Sequence, residues 1–160
     1  MELLGVQIEL PSNTPMMVLR EEGGGRRGLP IMIATPEAAA IHSALEGITP
    51  PRPLTHDLLV GVVAALGATV HHVVITELRE HTFFAELHLE APSGAVVVSC
   101  RPSDAVALAV RTGAPIHATE AVLDEAGVEF EEETEGEDDE AILDEFRDFL
   151  DEVRPEDFEP

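Results

Sequence analysis

Two short stretches of this 160-residue chain hold the residue types that anion or phosphodiester chemistry needs. One is Arg52-Pro53-Leu54-Thr55-His56-Asp57 and the other is Arg101-Pro102-Ser103-Asp104. Each sets an arginine before a proline and an aspartate in what reads as the first turn of a helix. A guanidinium offers a bidentate fork to phosphate or carboxylate. A helix N-terminus adds unpaired N–H groups and a partial positive charge. His56 has the ring to act as general acid or base near neutral pH, with Asp57 or Asp104 orienting it or holding a divalent ion such as Mg²⁺ or Mn²⁺. His56, Asp57 and Asp104 are therefore candidate catalytic groups. Arg52, Thr55, Arg101 and Ser103 are candidate substrate-binding groups. The same residues also suit a structural role, because Thr and Asp are ordinary helix-start residues and arginine pairs readily with acids. The spacing matches neither a phosphate-binding glycine loop nor a zinc-ligand pattern.

The remaining reactive side chains are less specific. His71 and His72 are neighbours in a strand-like run, where alternation would point them to opposite faces. His42 and Ser43 fall mid-helix, and the spacing gives His81, His88 and His117 no partner. The single cysteine, Cys100, ends an apolar run and reads as a buried small hydrophobe.

The elements that must carry these residues follow from punctuation and periodicity. Residues 1–10 read as a strand stopped by Pro11-Ser12-Asn13, and residues 15–20 as a second strand. Glu21-Glu22-Gly23-Gly24-Gly25 reads as a hairpin tip before a third strand over 27–34. Thr35-Pro36-Glu37 signals a helix start, with Thr35 as cap, and Gly47 signals its stop. A proline-stiffened connector leads to a second helix capped by Thr55 and ended by Gly67. Strands over 68–79, 82–89 and 94–100 come next, the first two joined by a tight turn near Glu80-His81. Pro102 opens a helix stopped by Gly113; residues 115–118 form a short link, and Thr119 caps a last helix ending at Gly127.

This order contains its own middle twice. At one offset of 66 residues Gly28 matches Gly94, Pro36 matches Pro102, Ala39 matches Ala105 and Gly47 matches Gly113. The expected fold is α+β, built from internally duplicated β-β-β-α-α units with a mostly antiparallel sheet and packed helices. Residues near 28–47 and 94–113 are expected to form equivalent strand–helix units.

Charge divides the chain. The net charge is −23, and the nine basic residues are all arginine. Residues 1–128 hold 15 acids against seven arginines; from Glu129 onward there are 17 acids against two. Such a body lacks the basic footprint that duplex binding normally uses. The expected organisation is a folded domain over 1–128, an acidic linker over 129–140 and an amphipathic helix and tail over 141–160. In that last segment Ile142, Leu143, Phe146, Phe149, Leu150 and Val153 mark one apolar face. No run is apolar enough to suggest a membrane span, the first residues read as a strand rather than a signal peptide, and one cysteine forms no internal disulfide. A cytoplasmic location is expected.

The runs LPIMIATPEAAAIHSALEG, PRPLTHDLL, TFFAELHL and RPSDAVALAVRTGAPIHATEAVLDEAGV together resemble the bifunctional nuclease domain family over most of residues 1–128. The chain departs from that pattern at Ile33-Ala34, where isoleucine-glycine is usual, and at Ala118-Thr119-Glu120-Ala121, where a more acidic Ser-Glu-Glu is common. The acidic tail here differs from the helical hairpin that follows the domain in some relatives. The resemblance implies hydrolysis of both RNA and DNA, a nucleic-acid partner, a homodimer of compact duplicated domains, and the two arginine motifs as the site. The alternative is a non-catalytic regulatory or scaffold domain that binds a protein partner or a small anion.

Overall fold

Apolar residues alternate along the strands of both halves, so each sheet has one face to bury, and the helices cover those faces. The computed structural model describes residues 1–9, 12–23 and 26–129. The described elements are β1 (Glu2–Glu9), β2 (Thr14–Arg20), β3 (Arg27–Met32), α1 (Thr35–Leu45), α2 (Thr55–Ala65), β4 (Thr69–Arg79), β5 (Thr82–Ala91), β6 (Gly94–Cys100), α3 (Pro102–Thr112), β7 (Ile116–Ala118), α4 (Glu120–Ala126) and β8 (Val128–Glu129). Two four-stranded sheets result, ordered β1-β2-β3-β8 and β6-β5-β4-β7. Neighbouring strands are antiparallel except β7, which runs parallel to β4. The fold is α+β with two similar strand-meander and helix units.

One core joins them. Met17, Leu19, Leu29 and Ile31 from the first sheet meet Val73, Ile75, Ala85 and Leu87 from the second through Ala105–Ala109 of α3, Ile41 of α1, and Val122 and Leu123 of α4. Helix α3 packs on β4 and β5 and is flanked by α1 and α2. Its alanines at 105, 107 and 109 are fully buried, and their small side chains allow this close approach on several sides. A larger residue at Ala107 would overpack the core, at a cost of about 1–3 kcal/mol.

The 66-residue offset is visible in the backbone. Helix α1 begins at Thr35 and α3 at Pro102, within one residue of register. Both are followed by a glycine in the left-handed region, Gly47 at φ 63° and Gly113 at φ 69°. There a side chain would clash with the preceding carbonyl.

Several local expectations need correction. Thr35 and Thr55 are the first helical residues, not the caps; Ala34 and Leu54 hold the extended cap positions. In α2 the cap bond comes from within, the Leu54 N–H donating to Asp57 Oδ2 at 2.9 Å. Thr119 does cap α4, its hydroxyl accepting from the Val122 N–H. His71 and His72 do not point to opposite faces, because the register slips between Val70 and His72. The body also runs one residue past 128, since Val128 and Glu129 pair with β3. The rest of the expected acidic linker and the 141–160 helix lie outside the described residues.

The halves differ at their edges. The first sheet gains β8 beside β3, whereas the second gains β7 beside β4, leaving β6 with one side unpaired among the described residues. Gly94–Ser99 of β6 are all exposed, with no charged residue among them.

Candidate functional site

The start of α3 assembles most of the candidate residues. Arg101 holds the extended cap position, so its side chain and that of Asp104, in the first turn, lie side by side. Arg101 donates from Nε to Asp104 Oδ2 at 2.8 Å and from Nη2 to Oδ1 at 3.1 Å. The same Nη2 lies 2.8 Å from Glu37 Oε1, from the first turn of α1. From α2, His56 Nε2 lies 3.0 Å from Asp104 Oδ1, with the histidine only 8% exposed. Four charged or titratable side chains from three helix starts therefore form one chain: His56, Asp104, Arg101, Glu37.

The electrostatics fix the proton. Burial works against a charge on Asp104, but hydrogen bonds from Arg101 and His56 outweigh it and hold its pKa below the ordinary carboxylate value. Asp104 is thus ionised at neutral pH and accepts, so His56 Nε2 carries the hydrogen. In the neutral ring Nδ1 is then the basic nitrogen.

Two recesses meet at Arg101 and Glu37. The larger, about 570 Å³, is lined by Glu37, Ser43, Thr55, His56, Arg101 and Asp104 among others. The smaller, about 290 Å³, is lined by Ile33, Glu37, His81, Thr82, Arg101 and Ser103 among others. His81 reaches it from the β4–β5 turn, where Glu80 and His81 both have positive φ, 49° and 61°. Such a turn matches the twist of the strands it joins.

Asp57 is turned elsewhere. Its Oδ1 accepts from Arg111 Nε at 2.6 Å. Arg111 also donates to the carbonyls of Ala107 at 3.0 Å and Ala40 at 3.2 Å, tying α1, α2 and α3 together. The Arg111 bond and the Leu54 N–H hold the Asp57 carboxyl below its ordinary range. Arg52 is exposed in the connector and forms no ion pair among the described residues. The structure therefore brings His56, Asp104 and Arg101 into direct contact and sets Thr55 and Ser103 along the recess walls. It places Asp57 in an interhelical strut and leaves Arg52 outside.

Glu37 and Arg111 were not singled out from the sequence. Glu37 reads as an ordinary first-turn acid; its alignment with Ser103 at the 66-residue offset was the available signal. Arg111 reads as a last-turn base, and its partner lies 54 residues away. Glu37 Oε2 is buried with no hydrogen-bond partner among the described residues. Among the described residues no three carboxylate, imidazole or thiol groups converge on a metal position. Burial, followed by the charges of Asp104 and Glu86, pushes the Cys100 thiol up to about 11, so it is protonated at neutral pH and a poor nucleophile. Among the described residues no helix is long and apolar enough to cross a membrane.

Comparison with known proteins places this chain in a family. A family model described as "Bifunctional nuclease domain" matches residues 17–131, which include every member of the His56–Asp104–Arg101–Glu37 chain. An uncharacterized protein of Mycobacterium tuberculosis (strain ATCC 25618 / H37Rv) is 44% identical over 160 residues, covering 98% of this chain and 95% of the relative. Bifunctional nuclease 2 of Arabidopsis thaliana is 31% identical over 112 residues, 67% of this chain and 34% of the plant protein. Bifunctional nuclease 1 of Oryza sativa subsp. japonica is 28% identical over 103 residues, 62% of this chain and 31% of the relative.

Proposed function

We infer that this chain, which belongs to the bifunctional nuclease domain family, hydrolyses phosphodiester bonds of RNA and DNA in the larger recess. The observation that carries this reading is the His56–Asp104 contact at 3.0 Å, made inside a recess that Arg101 also lines. His56 Nδ1 takes a proton from the attacking water, whose oxygen bonds to phosphorus as the P–O bond to the leaving group breaks. The leaving oxygen is protonated by solvent. Asp104 holds the ring in the tautomer this needs and stabilises the imidazolium formed. Arg101 faces the phosphate oxygens, exchanging its carboxylate partners for them. Glu37 and Asp104 are the carboxylates that line this recess and would hold Mg²⁺ or Mn²⁺ arriving with the substrate phosphate.

The acidic body favours a second reading, a non-catalytic domain that binds a small anion or a protein partner. Its seven arginines face 15 acids, and Arg101 and Arg111 are already paired with carboxylates. Purified protein assayed on labelled RNA and DNA, with Mg²⁺, Mn²⁺ or chelator, separates the two. Cleavage that falls in both His56→Ala and Asp104→Asn supports the nuclease. No cleavage by the wild type, or cleavage by both variants equal to that of the wild type, removes it in favour of the second reading.

A further inference from the structure

The outer face of the second sheet carries four histidines that the recess does not use. His71 and His72 lie on β4, His88 on β5 and His117 on β7. Val70 opposes Leu89 and His72 opposes His88, so His71 is an extra, bulged residue. Val70 and Val73, on either side of the histidine pair, both pack toward the core. The bulge therefore sends two consecutive imidazoles outward. Val74, two residues on from His72, shares its face and lies beside His117 in the parallel register. Ile116 is buried while His117 is exposed, which agrees.

The rings crowd around His72. Its centroid is 4.2 Å from that of His88, 4.9 Å from His71 and 5.5 Å from His117. The Nδ1 atoms of His71 and His72 are 2.6 Å apart. Glu86 Oε2 lies 3.1 Å from His88 Nε2. Several imidazoles crowded together, with the Glu86 carboxylate behind one of them, form the donor set that late first-row divalent ions prefer.

We propose that His71, His72, His88 and His117 form a binding site for a late first-row divalent ion, Zn²⁺ or Ni²⁺, on the outer face of the second sheet, with Glu86 orienting His88. At a Zn–N distance of about 2.0–2.1 Å, tetrahedrally arranged imidazoles have centroids roughly 5 Å apart, and the spacings around His72 bracket that value. The ring nitrogens do not converge on one point as they stand. The adjustment required is rotation about χ2, a broad, soft torsion for histidine. The site is separate from the His56 recess, because Val73 and Ile75 of β4 turn the opposite face to the core and α3.

The test is calorimetric titration of the full chain with Zn²⁺, and separately with Ni²⁺, at about pH 7.5, where histidine is ordinarily neutral. One ion per chain at micromolar affinity or tighter is expected. His72→Ala should remove binding in that range, Glu86→Gln should weaken it roughly tenfold, and His56→Ala should leave it unchanged. His88→Gln serves as the second variant if circular dichroism shows that His72→Ala does not fold. The proposal is overturned if the wild type binds neither ion. It is equally overturned if a His72→Ala/His117→Ala variant titrates like the wild type, since the ion would then sit on carboxylates elsewhere in this acidic chain.

Discussion

The two helix starts of the duplicated unit are Thr35-Pro36-Glu37-Ala38 in α1 and Arg101-Pro102-Ser103-Asp104 in α3. They share the proline and the backbone path, yet only the second brings an arginine and an aspartate. The first supplies Glu37, one position out of step with Asp104, and both acids reach Arg101. The far ends differ likewise, with Leu45 in α1 where α3 has Arg111. Duplication placed two helix N-termini side by side; divergence at a few positions made them chemically unlike. The two arginines of α3 then serve different ends. The Arg101 side chain is 64% exposed and borders both recesses, whereas that of Arg111 is 10% exposed and fastens three helices.

The widest separation between these arginines is expected in stability. Arg111→Leu should cost about 3 kcal/mol, because it strands Asp57 and two carbonyls that Arg111 now satisfies. Arg101→Ala should cost less, about 1 kcal/mol, because the Arg101 side chain itself is exposed although Glu37 and Asp104 lose a partner. Urea unfolding of both variants measures the gap, and equal losses would erase the distinction between strut and site.

Activity should separate them in the other direction. Asp104→Asn should lower cleavage by roughly 100-fold or more with a small change in unfolding midpoint. Asp57→Asn should act mainly through stability. A cleavage assay paired with thermal melts reads both, and a catalytic loss from Asp57→Asn in a fully folded protein would return Asp57 to the chemistry.

Acid sharpens the contrast further. The folded-state pKa of Asp57 is depressed below its ordinary value of 3.8. Its contribution to stability is therefore present above that value and is lost as pH falls below it through the folded pKa. Asp104 shifts in the same direction, although for it burial is the largest single influence and opposes the charge. Unfolding followed from pH about 5 to about 2 should show a flatter acid limb for Asp57→Asn than for the wild type. The smallest effect is expected from Glu37→Gln. Its buried Oε2, unpartnered among the described residues, contributes no hydrogen bond, so stability should move by only about 0.5 kcal/mol. Affinity of the recess for inorganic phosphate should rise, because Arg101 loses a competing carboxylate; unchanged phosphate binding by calorimetry would mean that Glu37 does not restrain Arg101.

Much of this arrangement was legible in the chain because it is local. Prolines and left-handed glycines punctuate the helices, and apolar runs mark the strands, so the element order and the duplication follow from short-range chemistry. His56 and Asp104 could be nominated from residue type and position. The partner of Asp57 could not, because the Asp57–Arg111 bond depends on how α2 packs against α3. The bulge at His71 was hidden for a related reason: periodicity assumes a constant register, and a one-residue slip is decided by the partner strand. The apolar density of α2 also gave no sign that Leu58 and Leu66 stay exposed.

The side of β6 that no described residue pairs bears on how this protein behaves as a colloid. An uncharged valine strand with open backbone groups is a template for another chain. No lysine, proline or bulge blunts it, so mutual repulsion between highly charged molecules must keep such edges apart. That repulsion vanishes near the isoelectric point of about 4.3. Solutions of the protein should therefore turn turbid as they are acidified toward that value, and a single lysine in place of Val97 should delay the onset.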